Sequence, residues 1–350
     1  MRDERDTQQR RAIRSPIDPS GRPASRREVL ALLVLLGACG TAPLPQAPIG
    51  GPILVAVSVP PQAYFVEKIG ADRMRVEVMI PPGVSHEDYS PSPRQVVALS
   101  DARLYVKVGH PAFEVERRFI DPFLARIPGI RVIDMSRGMD GGGDPHVWVA
   151  PATVRVAARN IAAALAAVDP GHAAEYQANL RAFLAEIDAL DREIRDRLGS
   201  GAPGKVRRFM VYHPSWGYFA REYGLEQVAI EAEGKEPSAQ GLIQLIDRGR
   251  REGVKVVFVP GGFPRKSAQV IADAVGGRVL TANPDERDWA DNLRRVAAEI
   301  AEAYGGPPNP GRCPGLRDCG PSALKRQRRL GPTGRDALAQ GNALGWAEGQ

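Results

Sequence analysis

Along the middle of the chain, short runs of apolar and β-branched residues alternate with stretches whose apolar positions recur at helical spacing. Ile53–Val59, Arg75–Ile80, Leu104–Val108 and Arg131–Asp134 read as strands, with helical segments such as Pro93–Leu99 and Ala112–Ala125 between them. A second series begins near Arg208. Phe209–Tyr212, Gln227–Ile230, Val254–Val259 and Arg278–Thr281 interleave with helical patterns at Gln240–Arg251, Lys266–Ala274 and Trp289–Ala303. Strand and helix in alternation predict an α/β fold with mainly parallel sheets, here in two lobes. Between the series, Tyr176, Leu180, Phe183, Ile187, Leu190, Ile194 and Leu198 are spaced by three or four residues, which predicts one long amphipathic helix over 170–198 that Gly199 stops. Such a helix joins the lobes rigidly. The expected organisation is 52–168 for the first lobe, 169–199 for the linking helix and 200–304 for the second lobe, with no internal sequence repeat.

Outside this body the pattern changes. The first apolar run, Val29–Leu36, has eight residues against the ~20 needed to span a hydrocarbon core. It follows Arg26-Arg27 and ends in Leu36-Gly37-Ala38-Cys39, the order of a bacterial export signal closed by a lipoprotein box. Residues 1–38 are therefore expected to be removed and Cys39 lipidated. Residues 39–51, rich in Pro, would tether the body to a membrane through that lipid. From residue 305 onward Gly and Pro are dense and periodicity is lost, which predicts a disordered basic tail carrying Cys313 and Cys319. The formal charge of +6 resides in these ends: residues 1–38 carry +3 and residues 307–350 carry +4, leaving the body at −1. A nucleic-acid partner is excluded on that ground, because the body offers no basic face.

The candidate chemistry lies in the histidines. Four of the five, His86, His110, His146 and His213, fall at or just after predicted strand ends, whereas His172 opens the linking helix. Loops leaving the C-terminal ends of parallel strands gather on one edge, so these four can meet although they are distant in sequence. Imidazole suits zinc, and manganese when carboxylates assist. Asp144 and Glu231 are candidates to orient the rings.

Asp144-Pro145-His146-Val147-Trp148, Tyr212-His213-Pro214-Ser215-Trp216-Gly217-Tyr218-Phe219 and Glu233-Gly234-Lys235-Glu236-Pro237-Ser238 resemble signatures of the periplasmic zinc/manganese-binding proteins of ABC transporters. Pro81-Pro82-Gly83, Tyr89-Ser90-Pro91-Ser92-Pro93 and Asp288-Trp289 fall in the same order, and the resemblance covers about residues 52–304. It implies two α/β lobes holding one metal ion between them. His146 and His213 occupy matched ligand positions. In the first site loop the family's histidine position is held by Glu87, with His86 one residue earlier, so either side chain is a candidate. In the last loop the family's aspartate position is Asn283, with Asp285 two residues on, and His110 is a reserve ligand.

The implied function is an extracytoplasmic solute-binding lipoprotein on the periplasmic face of the bacterial envelope. It would act as a monomer that captures Zn²⁺ or Mn²⁺ as transported ligand and hands it to an ABC transporter permease. No enzymatic activity is expected. The alternatives are a zinc metallohydrolase with an open coordination position and a metal-stabilised surface adhesin. The sequence offers neither a His-Glu-x-x-His helix nor a Gly-x-Ser-x-Gly elbow for the former.

Overall fold

The structure is a computed structural model that describes residues 51–81, 84, 86, 89–199, 207–231 and 234–306. The expected export signal, Cys39, Glu87, Cys313 and Cys319 lie outside the described residues.

The first half contains β1 (Ile53–Val57), α1 (Pro60–Gly70), β2 (Met74–Val78), α2 (Pro93–Asp101), β3 (Leu104–Lys107), α3 (Asp121–Leu124), β4 (Arg131–Asp134) and α4 (Pro151–Val168). Its four strands pair in parallel in the order β2-β1-β3-β4, with Val55 opposite both Val76 and Leu104. After the long helix α5 (Ala173–Leu198) come β5 (Arg207–Val211), α6 (Gly217–Glu222), β6 (Leu225–Ala229), α7 (Ala239–Glu252), β7 (Val256–Val259), α8 (Lys266–Val275), β8 (Arg278–Thr281) and α9 (Trp289–Ala303). The second sheet is also wholly parallel, in the equivalent order β6-β5-β7-β8. In both halves the strand runs read from the sequence match the observed strands to within about two residues.

Central strands read as unbroken apolar runs because helices cover both faces of a parallel sheet: every residue of β1 and of β7 is buried. All seven apolar residues of the predicted seam of α5 are buried as well. The helix packs against α1 and α4 on one side and α9 on the other, so a single core runs from the first sheet through α5 to the second. Its 26 residues reach roughly 40 Å. It ends at Gly199 with φ +60°, a conformation that glycine adopts without steric cost.

Local sequence explains several boundaries. Ser92 accepts a hydrogen bond from the Gln95 backbone N–H while the Gln95 side chain reaches back to the Ser92 N–H, and Pro93 sits in the first turn of α2. Three helices, α1, α4 and the short α6, are not among those expected from the sequence. The expected helix over Ala112–Ala125 is different in kind: a π-helical segment at Glu116–Ile120 leads into the single turn of α3. Pro122 explains this, since it has no N–H to offer the carbonyl four residues back and the chain widens to accommodate it.

Tryptophans bind the two halves together. Trp148, fully buried, donates its indole N–H to the Pro284 carbonyl at 3.0 Å, and Trp289 donates to the Trp148 carbonyl at 2.6 Å. Trp289 also meets the Phe65 ring edge-on with centroids 5.4 Å apart. Arg287 and Glu67 add an ion pair at the rim. Among the described residues no helix is long and apolar enough to cross a membrane.

Candidate metal centre

Loops leaving the C-terminal ends of the strands converge, and three of them bring histidines to one point. His86 follows β2, His146 follows β4 and His213 follows β5. One donor atom from each of these three lies within 4.8 Å of the others. His86 Nε2 and His146 Nε2 are 3.0 Å apart, and the His146 and His213 ring centroids are separated by 5.2 Å. Two nitrogens bound to one tetrahedral zinc ion at ~2.0–2.1 Å stand about 3.3 Å from each other, so the first pair already has nearly that spacing.

Carboxylates hold two of the rings. His146 Nδ1 donates to Asp144 Oδ1 at 2.8 Å, and the His146 backbone N–H donates to the same oxygen at 2.9 Å. His213 Nδ1 donates to Glu231 Oε1 at 2.6 Å. With the proton on Nδ1, each ring presents its lone pair on Nε2, the arrangement a metal-ligating imidazole needs. His86 is supported by an aromatic contact, its ring lying 4.9 Å from that of Phe113.

Burial sets the charge of the site. Removal from water pushes the His86 pKa well below its ordinary value, and the neighbouring His146 and His213 push it the same way. His146 is also lowered by burial, with Asp144 opposing. Burial acts to raise Asp144, but the side-chain and backbone hydrogen bonds from His146, with the charges of His146 and Arg221, together outweigh it and hold that carboxyl below the usual range. The two rings are therefore neutral at neutral pH, the charge state in which imidazole ligates.

The remaining wall is the loop after β8. The rings of His86, His146 and His213 share a cavity of about 20 Å³ with Pro284 and Asp285, space for one water or ion. Asp285 is 9% exposed, its Oδ1 accepts no hydrogen bond among the described residues, and burial raises its pKa to about 7 against the pull of His213. Asn283 lines the same cavity, but its side-chain oxygen is turned back to accept the Asp285 backbone N–H at 3.1 Å. Of the two last-loop candidates, Asp285 is thus the one with an uncommitted donor. His110 stands apart from the three-histidine group. Its Nδ1 accepts the Ala112 N–H at 3.1 Å, and it acts on the site only as a neighbour of Asp144 and His146. His172 pairs with Asp169 at the start of the long helix, away from these residues.

Polar groups behind the site escaped the sequence reading. Gln62 Oε1 accepts the N–H groups of Ser58 and Val59, and its amide donates to the Val106 carbonyl at 3.0 Å. Glu116 accepts from Val108 N at 2.6 Å and Gly109 N at 2.9 Å, and from the Ser58 hydroxyl, which fixes the exit of β3. The signal available was an acidic residue amid apolar ones, Phe113-Glu114-Val115-Glu116, which helical spacing alone does not interpret.

Known proteins resemble this chain in sequence and in fold. Residues 55–303 match the family described as "Zinc-uptake complex component A periplasmic". The chain is 26% identical over 279 residues to the high-affinity zinc uptake system protein ZnuA of Bacillus subtilis (strain 168), covering 73% of this chain and 86% of the relative. It is 27% identical over 326 residues to the protein of the same name from Paracoccus denitrificans (strain Pd 1222), covering 78% and 98%. A solved structure titled "Crystal structure of ZnuA" superposes with a TM-score of 0.68 at 40% identity, covering 73% of this chain and 100% of that one. With about seven tenths of its length matched, the chain belongs to the periplasmic zinc-uptake complex component A family.

Proposed function

We propose that the protein is an extracytoplasmic solute-binding protein that captures one divalent ion, zinc in preference to manganese, between its lobes and delivers it to the permease of an ABC importer. The observation that carries this reading is the meeting of His86, His146 and His213 donor atoms within 4.8 Å, two of them backed by carboxylates. Three imidazoles with one carboxylate make a donor set that zinc takes in four-coordination, and Asp285, which lines the same cavity, is our candidate for the fourth ligand. Glu87 stays an alternative for the first loop. Lipidation of Cys39 would keep the monomeric carrier at the membrane near its permease.

The chemistry favours capture without turnover. His86 and His146 need lose no proton at neutral pH, and the cavity among the described residues, about 20 Å³, is the size of one ion. Release follows if the permease separates the loops, because ligands from different lobes then leave one by one.

Isothermal titration of the metal-free full chain tests the reading. It should bind one Zn²⁺ at neutral pH, bind Mn²⁺ more weakly, and lose at least a hundredfold in zinc affinity in His146→Ala and in His213→Ala. A wild-type chain that binds neither metal would overturn it.

A further inference from the structure

Asp144 uses only one of its oxygens on His146. The other, Oδ2, is buried and accepts no hydrogen bond among the described residues. It points across the boundary between the lobes, onto the backbone of Gly217 at the start of α6, four residues beyond His213. A methyl group on Gly217 would overlap Asp144 Oδ2 far inside van der Waals contact and would also meet Gln227 Nε2 at 3.0 Å. Of the two, only Asp144 cannot yield, since the Gln227 contact is with the far end of a longer side chain and needs only a few tenths of an ångström. Asp144 is short and already tied by Oδ1 to two groups of His146, while the Gln227 side chain accepts the Trp216 N–H at 2.9 Å.

No strained backbone accounts for the glycine, since Gly217 is absent from the positions of positive φ. What requires a hydrogen there is the approach of the carboxylate. The contacts around it reinforce the seat: the Tyr218 hydroxyl donates to the Asp140 carbonyl at 3.4 Å, and the Arg221 guanidinium lies over the Tyr218 ring, where its charge also favours ionised Asp144.

We infer that Gly217 is a positioning residue for metal capture: its bare α-carbon is the seat on which Asp144 of the first lobe rests, and through Asp144 it sets the His146 ring against His213 of the second. The inference rests on the proposed zinc-binding role and deepens it. Groups that orient a ligating histidine typically change metal affinity by 10–100-fold when altered.

A double-mutant cycle read by zinc titration separates this role from simple packing. Gly217→Ala should weaken zinc by tenfold or more, and so should Asp144→Ala. In the Asp144→Ala background, adding Gly217→Ala should change the affinity by less than threefold, because the colliding oxygen has gone. If Gly217→Ala alone does not fold, the double variant should fold and bind like Asp144→Ala. A Gly217→Ala protein with wild-type affinity, a full additive loss in the double variant, or a double variant that stays unfolded would each overturn the inference. Failure of the wild-type chain to bind zinc would instead strike the proposed function, so the two failures are told apart.

Discussion

Trp148 is the side chain whose removal most directly tests how the lobes are held. Trp148→Phe keeps an aromatic ring edge-on to Phe113, whose centroid lies 5.9 Å away, and beside His146 at 5.3 Å. It deletes the indole N–H that reaches the Pro284 carbonyl at 3.0 Å. That carbonyl lies in the buried loop carrying Asp285, and leaving it without a donor costs about 1–3 kcal/mol. The smaller ring also leaves a void of about 40 Å³, worth ~1 kcal/mol at ~24 cal/mol per Å³. Together the loss is about 2–4 kcal/mol, or roughly 4–15 °C in Tm for a body of this size. The Trp289 bond is to the backbone of residue 148 and survives the change. Thermal unfolding of the metal-free protein followed by circular dichroism gives the measurement. A Tm within 2 °C of wild type would refute the reasoning, because the indole bond would then contribute nothing to the junction.

Glu116 gives a pH prediction. Burial raises its pKa to about 7 from 4.5, so the stability from keeping its proton is full below about pH 4.5 and is lost as pH rises through 7. Denaturant unfolding of wild type against Glu116→Gln should show wild type falling by about 3 kcal/mol relative to the variant across that window, and parallel curves would contradict it. In the first site loop, His86→Ala should abolish tight zinc binding while Glu87→Ala stays within about threefold of wild type by titration; the opposite ranking would make Glu87 the ligand. Zinc at a hundredfold excess over Kd should stabilise the fold by about 2.7 kcal/mol, and chelation should lower Tm without unfolding the chain at 25 °C. Loss of far-ultraviolet signal on chelation would instead favour a structural metal.

The strands were legible because burial on both faces leaves runs such as Ile53–Val57 and Val256–Val259 with no polar interruption. The long helix was legible because its seam is strictly spaced. Helix α1 was not, because it begins Pro60-Pro61, which reads as a break although prolines are tolerated in a first helical turn. Helix α4 opens on a proline and is rich in alanine, so its buried stripe carries only Val154, Ile161 and Leu165 as large apolar side chains. Histidines at strand exits could be grouped in advance, since parallel strands deliver their loops to one edge. The choice between His86 and Glu87 could not be made, because in an irregular loop one residue of offset changes direction without any period to reveal it. The reversal of Asn283 onto Asp285 is likewise a turn preference decided within its own loop. Gln62 and Glu116 are buried polar groups satisfied by distant backbone, and only the folded neighbourhood tells such residues from surface ones.

Placing the site on the junction between lobes has an energetic consequence. The same few residues hold the halves together and shape the donor set: Trp148 is two residues from His146, and the carbonyl it grips precedes Asp285. The helix α5 and the paired tryptophans fix the spacing before any ion arrives, so little of the binding energy is spent ordering the protein. The site itself is the least satisfied part of that junction. Two imidazoles are held neutral by burial, and Asp285 is pushed to about 7 with an oxygen that accepts no hydrogen bond among the described residues. A divalent ion relieves these costs at once, supplying positive charge to the carboxylate and an acceptor for the ring lone pairs. A rigid frame around an unsatisfied centre therefore suits a carrier, which must stay folded when empty and bind tightly when metal is scarce. On the proposed reading, parting Pro284 from Trp148 would carry Asp285 away from the histidines and so release the ion.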